Sequence, residues 1–126
     1  MTDAPTTKAL GDAAERRALA HLEANGLVLV QRNYRVARGP GSRGGEVDLI
    51  VRDGDGTLVF VEVRQRADLR FGGAAASVGA AKQARLVFAA RHFLRRFAAA
   101  PPPCRFDVIG VEPGRIEWLR AAFDAS

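Results

Sequence analysis

Two neighbouring runs of β-forming residues restrict most strongly how this chain can fold. Residues 46–52 and 57–64 are rich in Val, Ile and Phe, and the segment Asp53-Gly54-Asp55-Gly56 lies between them. Strand-forming runs that are joined by a short loop containing Gly predict a β-hairpin. The register of this hairpin decides which side chains meet.

The register of the hairpin brings acidic residues together. A three-residue loop at 54–56 places Asp48 opposite Glu62 and Glu46 opposite Arg64. Directly opposed residues on antiparallel strands have Cβ atoms about 4.5–5.5 Å apart, and like charges at that distance repel. The two-residue period of a strand puts these acids on one face, beside apolar neighbours. We predict that something positive lies between Asp48 and Glu62.

Two interpretations of this acid pair remain open. In the first, Asp48 and Glu62 hold Mg²⁺ or Mn²⁺, since Mg²⁺ takes one or two carboxylates together with water and substrate phosphate oxygens. In the second, the acids belong to a structural ion-pair cluster, in which Glu46 pairs with Arg64 and other arginines neutralise the rest. A register slip of one residue would remove the facing pair altogether.

The rest of the chain predicts an α/β fold. Residues 8–24 contain no proline, and Gly11, Glu15, Ala18 and Leu22 recur at helical spacing before a stop at Asn25-Gly26. The other predicted elements are a strand at 27–36, a helix at 78–99 that ends before three prolines, and strands at 105–112 and 115–119. This order predicts a single α/β domain over residues 1–126, with helices flanking a mixed sheet.

Three segments are predicted as irregular. Residues 1–7 are interpreted as a flexible N-terminus, and 38–45 (RGPGSRGG) as a mobile basic loop without apolar residues. Residues 66–77 form another predicted loop, rich in Gly and Ala.

The charge of the chain is compatible with a polyanionic partner such as nucleic acid. Nineteen basic residues stand against fourteen acidic ones, and Lys8 and Lys82 are the only lysines, so the positive charge is almost all guanidinium. Arginine forks match phosphate oxygens well. A genome-wide bias toward Arg, Ala and Gly would produce the same charge, so charge alone leaves both explanations open.

Cysteine usage and the N-terminal residues indicate the cellular compartment of the protein. Cys104 is the only cysteine, which excludes an internal disulfide framework and a cysteine-based zinc site. The first residues contain no apolar leader segment. These features predict a cytoplasmic protein with no membrane partner.

Three segments together resemble a known family. They are Gly45-Glu46-Val47-Asp48-Leu49-Ile50, Val59-Phe60-Val61-Glu62-Val63-Arg64 and Arg105-Phe106-Asp107-Val108, and the likeness extends over nearly the whole chain. They are similar to the YraN family of small bacterial proteins. That family in turn resembles the PD-(D/E)xK, restriction-endonuclease-like nucleases and the archaeal Holliday junction resolvases. The resemblance implies an αβββαβ core, which agrees with the order of predicted elements.

The resemblance also implies roles for particular residues. Asp48 and Glu62 match the motif acids, Glu15 would be the first-helix acid that completes the metal site, and the carbonyl of Val63 would be a further ligand. Arg64 stands where the motif usually has lysine. Because arginine stays protonated, its catalytic role would be electrostatic rather than that of a general base. Glu15 has an alternative interpretation as a boundary residue paired with an arginine.

Basic residues near these elements are candidate contacts to nucleic acid. Lys82 lies on the stripe of its helix that is expected to face the sheet, and its alternative interpretation is a solvated lysine in the first turn. The candidates are Arg32, Arg35, Arg38, Arg43, Arg66 and Lys82, with Arg91 and Arg95 on the second helix.

These observations give one leading hypothesis and two alternatives. The leading hypothesis is an endonuclease that hydrolyses phosphodiester bonds in DNA, including branched DNA, with Mg²⁺ or Mn²⁺ as cofactor. The first alternative is a catalytically inactive nucleic-acid-binding protein with a nuclease fold, which the arginine at position 64 favours. The second is a protein-interaction subunit that needs no DNA. By analogy with resolvases, cutting two opposed strands would suit a homodimer.

Overall fold

A five-stranded mixed sheet with a helix on each face organises the chain. The computed structural model describes residues 4–41, 43–65 and 78–125. The elements are α1 (Thr7–Ala24), β1 (Val28–Val36), β2 (Gly45–Arg52), β3 (Leu58–Gln65), α2 (Ala80–Leu94), β4 (Cys104–Glu112) and β5 (Arg115–Phe123).

The sheet topology confirms the predicted fold class. The strands lie in the order β1-β2-β3-β4-β5, where β3 and β4 are parallel and the other neighbours are antiparallel. Parallel neighbours need a crossover connection, and α2 lies in the segment that joins β3 to β4. The chain thus has the αβββαβ order of a restriction-endonuclease-like core, with β5 as an added edge strand.

Each helix covers one face of the sheet with its own apolar cluster. The cluster under α1 and the cluster under α2 draw on different residues of the same strands, as the alternation of a strand requires. On the α1 face lie Ala14, Ala18, Leu19, Leu22, Leu49, Val51, Val59, Val61, Ile109 and Val111. On the α2 face lie Val47, Ile50, Leu58, Phe60, Leu86, Ala89, Ala90, Phe93, Phe106 and Val108.

The helix boundaries differ from the prediction in ways that local hydrogen bonds explain. Helix α1 begins at Thr7, one residue early, because the Thr6 hydroxyl accepts the N–H of Ala9 as an N-cap. Helix α2 ends at Leu94 rather than at residue 99. Its last turns tighten, since the N–H groups of residues 95–97 donate to carbonyls three positions back.

Both helices are amphipathic in the packed fold rather than apolar along their whole length. Within the described ranges, neither helix is long and apolar enough to cross a lipid bilayer. The predicted loop at 66–77, with the candidate Arg66, lies outside the described residues. The mobility of 1–7 and of 38–45 stays a prediction.

The start of β2 requires glycine, because α2 lies directly over it. A Cβ atom on Gly45 would come within 2.3 Å of the Arg85 carbonyl oxygen and 2.9 Å of the Ala89 backbone nitrogen. Both of these neighbours are backbone atoms of α2, so no rotamer change relieves the contact. Gly45 therefore allows the close approach that brings α2 to the beginning of the acidic strand.

We expect Gly45→Ala to lower the free energy of unfolding by about 1–3 kcal/mol, as overpacking of a close contact does. The measurement is urea denaturation followed by circular dichroism. Gly54→Ala is the matched control, because a Cβ there meets nothing within 4 Å. Equal midpoints for the two variants would contradict the predicted close contact.

Candidate metal and nucleic-acid site

The hairpin forms with the predicted register, but its ladder stops next to the acids. The strand pairing runs from Arg52 opposite Leu58 to Leu49 opposite Val61. At the next position Asp48 accepts the N–H of Val63 with its own carboxylate, at 2.8 Å. A side-chain oxygen thus occupies a place that a backbone carbonyl would take in a regular ladder.

One part of the predicted alternation is wrong. A strict two-residue period from Ile50 places Val47 on the opposite face, yet both residues belong to the cluster under α2. Leu49, between them, packs in the cluster under α1. The face pattern of β2 therefore shifts between Val47 and Leu49, at the position of Asp48.

Glu62 is a buried carboxyl group beside a second one. Its residue is 2% exposed, and its buried Oε2 atom has no hydrogen bond of good geometry but has the Lys82 ammonium 3.2 Å away as an ion-pair partner. Burial, together with the hydrogen bond with Asp48 and the negative charge of Asp48, raises the pKa of Glu62 from 4.5 to about 9. Lys82 opposes this rise. The prediction that Asp48 and Glu62 meet is confirmed by this contact.

Lys82 is the positive group at the acid pair. Its Nζ atom lies 3.2 Å from Glu62 Oε2 and 3.2 Å from Glu46 Oε1, and only 22% of its side chain is exposed. The interpretation of Lys82 as a solvated lysine is therefore wrong. Helix α2 brings this lysine to the sheet because its next turns, through Leu86 and Ala89, pack on the same face.

The ion pairs of Glu46 differ from those predicted. Lys82 and Arg35 pair with it, the latter at 3.4 Å between Nε and Oε2, whereas Arg64 was the predicted partner. Arg64 instead extends toward Glu62, with 4.0 Å between Nη1 and Oε2. Burial acts to raise the pKa of Glu46, but the hydrogen bond and charge of Lys82, with Arg35, lower it on balance.

Glu15 approaches the same site from α1. It lines a cleft of about 300 Å³, whose lining residues are Lys8, Asp12, Glu15, Arg16, Arg32 and Asn33. Partial burial and the negative charge of Asp48 raise the pKa of Glu15, while a hydrogen bond from Asn33 lowers it. Glu15 thus lies within electrostatic range of Asp48, as the first-helix acid was expected to do.

The acids at this site are possible ligands of a divalent cation. Among the residues that the structure describes, no three His, Cys, Asp or Glu side chains converge as a ready metal site. The pair of Asp48 and Glu62 nevertheless offers carboxyl oxygens for one, at a place where a positive group, the Lys82 ammonium, already lies 3.2 Å from the buried Glu62 Oε2. Hard cations such as Mg²⁺ take such oxygens and complete their shell with water.

The other basic candidates lie at several places. Arg32 lines the cleft beside Glu15, and Arg35 is an exposed partner of Glu46. Arg38 stacks over the Phe88 ring of α2, with 4.8 Å from its guanidinium carbon to the ring centroid. Arg43 is exposed in the connection before β2.

Comparison with known proteins identifies the family. The model of the family described as "Uncharacterised protein family UPF0102" matches residues 14–111. The chain belongs to this family. UPF0102 is the YraN family that the sequence resembles, and the matched range contains Glu15, Asp48 and Glu62.

UPF0102 proteins of several bacteria are similar to this chain over almost their whole length. A relative from Methylibium petroleiphilum is 67% identical and covers 96% of this chain and 98% of its own. One from an Acidovorax species is 61% identical, over 98% of this chain and 90% of its own. One from Cupriavidus taiwanensis is 58% identical, over 98% of this chain and 89% of its own.

Sequence reasoning missed one residue at this site. Asn33 lines the same cleft as Glu15 and has a left-handed φ of 49° in the middle of β1. The available signal was an Asn within a run of strand-forming residues, since Asn is depleted in strands and tolerates left-handed backbone.

Proposed function

We propose that this UPF0102 protein is a metal-dependent endonuclease that acts on DNA. The observation that carries the proposal is the meeting of the buried Glu62 with the partly buried Asp48, beside the Lys82 ammonium at 3.2 Å from Glu62 Oε2. A fold gains no stability from burying a carboxyl group beside a second one that raises its pKa, as Asp48 does for Glu62. Such a pair is typical of a site that binds something positive.

The ligands that this chain offers come from three elements. Asp48 on β2 and Glu62 on β3 would hold Mg²⁺ or Mn²⁺, the carbonyl of Val63 would be a further ligand, and Glu15 would add a carboxylate from α1. When bound, such a cation polarises the scissile phosphate and lowers the pKa of a bound water.

Two cations of the chain would stabilise negative charge on the phosphate. The Lys82 ammonium lies beside Glu62 and keeps Glu46 as a second partner, so it has an acid to hold it in place. The Arg64 guanidinium extends toward the same carboxylate. A preorganised donor of this kind contributes about 2.7–4 kcal/mol to transition-state stabilisation in well-studied enzymes. Lys82 on α2 thus provides a lysine at the site, although the motif position itself is occupied by Arg64.

DNA is favoured as the substrate by charge. The chain has a formal net charge of +5, and Arg32, Arg35 and Arg43 are exposed on the elements that surround the acid pair. Carboxylates beside a phosphate backbone weaken binding unless a cation bridges them, so a protein that only binds DNA gains nothing from them. A homodimer that cuts branched DNA is the form of this proposal that the resolvase resemblance favours.

One observation favours a second candidate function. Lys82 already neutralises both Glu46 and Glu62, with 3.2 Å contacts to each. A cluster that is balanced in this way needs no metal. It would suit a nucleic-acid-binding protein that has the nuclease fold without the activity.

The test is cleavage of labelled linear duplex, single-stranded and four-way-junction DNA with Mg²⁺, Mn²⁺ or EDTA. We expect cleavage with metal, and loss of cleavage in Asp48→Asn. Asp124→Asn is the matched control, because it makes the same change at an exposed residue near the C-terminus. It should cleave like the wild type, which also excludes a contaminating nuclease.

The other outcomes separate the alternatives. No cleavage, together with DNA binding that weakens steeply with salt, would overturn the nuclease and support the inactive binding protein, since counterion release makes phosphate contacts salt-dependent. Neither cleavage nor DNA binding would overturn both and favour a protein-interaction subunit.

A further inference from the structure

The positive charge of this chain is concentrated on two segments that lie side by side. Residues 27–45, which include β1, and residues 80–97, which include α2, contain nine of the nineteen basic residues and none of the fourteen acidic ones. The two segments pack together, since the rings of Tyr34 and Phe93 have centroids 5.3 Å apart. Charge that is distributed so unevenly is typical of a surface that binds a polyanion.

One side of α2 presents basic side chains along its whole length. We define the basic stripe as Lys82, Arg85, Arg95 and Arg96 of α2 and the turn that ends it, with Arg38 from the segment after β1. Steps of three and four residues, through Phe88 and His92, connect its members, so they share one side of the helix. The stripe extends about 20 Å from Lys82 to Arg96, at 1.5 Å per helical residue. It begins at the acid pair, where Lys82 lies 3.2 Å from Glu62.

Aromatic rings hold two guanidinium groups of the basic stripe in place. The guanidinium carbon of Arg96 lies 3.6 Å from the ring centroid of Phe93 and 5.8 Å from that of Tyr34. Arg96 Nε also donates a hydrogen bond to the Phe93 carbonyl, at 3.1 Å. Arg38 stacks over Phe88 in a similar way, at 4.8 Å. An arginine whose plane is fixed by a ring is preorganised, so it loses less freedom when its outer nitrogens bind phosphate oxygens.

Acids neutralise only the beginning of the basic stripe. Across the part of the chain that the structure describes, ion pairs of 4.0 Å or less reach Lys82 but no other member of the stripe. Neighbouring like charges without acidic partners repel one another, so the fold gains no stability from collecting them. A bound anion would remove this repulsion.

Duplex DNA fits the basic stripe better than a single strand or a lipid surface does. Proteins that bind single strands stack bases on exposed aromatic rings, whereas arginines cover the rings of Phe88 and Phe93. Membrane-surface helices place exposed apolar residues beside their basic ones. The large apolar residues that are exposed in the described ranges, Leu10 and Val28, lie on α1 and at the start of β1.

We propose that the basic stripe binds the phosphate backbone of duplex DNA and leads it along α2, away from the acid pair. The inference rests on DNA as the partner in the proposed function, and it adds a binding surface beyond the arginines that surround the acids. The length of the stripe corresponds to about six base pairs, at 3.4 Å each. DNA would therefore contact the protein well beyond the phosphate at the acid pair.

The test is the binding of a fluorescent duplex of about 20 base pairs, longer than the stripe, measured by anisotropy in EDTA at several salt concentrations. We expect Arg96→Gln to bind about 5–10-fold more weakly at about 0.1 M salt and to lower the salt slope by about 1, since each phosphate contact releases counterions. Arg120→Gln is the matched control. Arg120 also stacks on a ring, 4.0 Å from the Trp118 centroid, but it lies on β5 at the other edge of the sheet. Its loss should change the affinity by less than about twofold.

Two further variants separate DNA binding from a structural role of Arg96. Arg95→Gln removes an exposed charge with no ring under it, so it should weaken DNA binding without lowering the melting temperature. Arg96→Lys keeps the charge, so it should keep the wild-type salt slope. A lower melting temperature for Arg96→Gln with wild-type DNA affinity would overturn the inference, because the arginine would then only stabilise the end of the helix. Equal affinity losses in Arg96→Gln and Arg120→Gln would also overturn it, since net charge alone would explain them.

The failure of this inference is distinct from that of the proposed function. If the protein binds duplex DNA through Arg96 but cleaves none, the nuclease is wrong and the role of the basic stripe is supported. If the wild type cleaves DNA and Arg96→Gln binds it as tightly, only the stripe is wrong. If the wild type binds no DNA, both are wrong, and binding to vesicles of anionic lipid would then assign the stripe to a membrane surface.

Discussion

Asp107→Asn is expected to lower the free energy of unfolding by about 3–5 kcal/mol, the cost of breaking a buried ion pair from one side. Asp107 is completely buried on β4. Its oxygens accept hydrogen bonds from Arg105 Nε at 3.1 and 3.3 Å, Trp118 Nε1 at 2.9 Å and the Ala121 N–H at 2.9 Å. An amide in place of the carboxylate has one acceptor oxygen, so at least one buried donor loses its partner.

The effect is expected to be large because the Asp107 carboxylate accepts hydrogen bonds at an irregular place in the sheet. The β4–β5 register shifts between Phe106 and Val108, and Ala121 on β5 has a left-handed φ of 49°. The Asp107 carboxylate takes the N–H that this irregularity leaves without a ladder partner. The variant therefore affects the attachment of the edge strand as well as one ion pair.

Urea denaturation of Asp107→Asn and Asp53→Asn measures this difference. Asp53 is the outer partner of Arg105, at 2.9 Å from Nη1, and its side chain is 24% exposed, so its loss should cost about 1 kcal/mol or less. Asp107→Asn should unfold at a clearly lower urea concentration than Asp53→Asn. Similar midpoints for the two variants would show that the buried carboxylate contributes no more than the partly exposed pair of Arg105 and Asp53.

Sequence patterns predicted the fold well where a local signal determined it. The Asp53–Gly56 segment set the register of the β2–β3 hairpin, and that register brought Asp48 to Glu62 as expected. The end of α1 at Asn25-Gly26 was visible because Gly26 takes a left-handed φ of 89°. These features depend on a few neighbouring residues, so one sequence contains the information.

Features that depend on contacts between distant elements were not predictable in the same way. The alternation of β2 was expected to continue through Asp48, but the pattern shifts there because Asp48 bonds Val63 on the next strand. The pairing of Lys82 with Glu62 joins residues on α2 and β3, and helical periodicity alone left Lys82 between two interpretations. The sequence showed Asp107 as part of a motif. That it accepts hydrogen bonds from Trp118 and Ala121 could not be predicted, because this depends on where β5 packs.

Glu62→Gln separates the two interpretations of the acid pair, because they predict stability changes of opposite sign. If the acid pair is a metal site, it destabilises the protein when the metal is absent. The reason is that burial and Asp48 raise the pKa of Glu62 to about 9, so folding at pH 7 opposes the ionised form of this carboxyl group. We therefore expect Glu62→Gln, in EDTA at pH 7, to unfold at a higher temperature than the wild type. A structural ion-pair cluster predicts the reverse, because Lys82 would lose a partner.

The dependence on pH follows from the same pKa. The pKa of Glu62 is 4.5 in the unfolded state and about 9 in the folded state. At pH values between these two, Glu62 is protonated in the folded state and ionised in the unfolded state. Folding then binds a proton, so the stability of the metal-free wild type falls as pH rises through this window. Each unit of pKa shift corresponds to about 1.4 kcal/mol. Glu62→Gln should remove this part of the pH dependence.

Adding Mn²⁺ should reverse the order of the melting temperatures of the wild type and Glu62→Gln. A cation that binds only the folded wild type stabilises it by about 2.7 kcal/mol at one hundred times its dissociation constant. Glu62→Gln lacks the carboxylate that would hold the cation, so its melting temperature should not rise. Thermal scans of both proteins with EDTA and with Mn²⁺ measure both effects. A wild type that Mn²⁺ leaves unchanged, with a less stable Glu62→Gln, would show that the acid pair is structural.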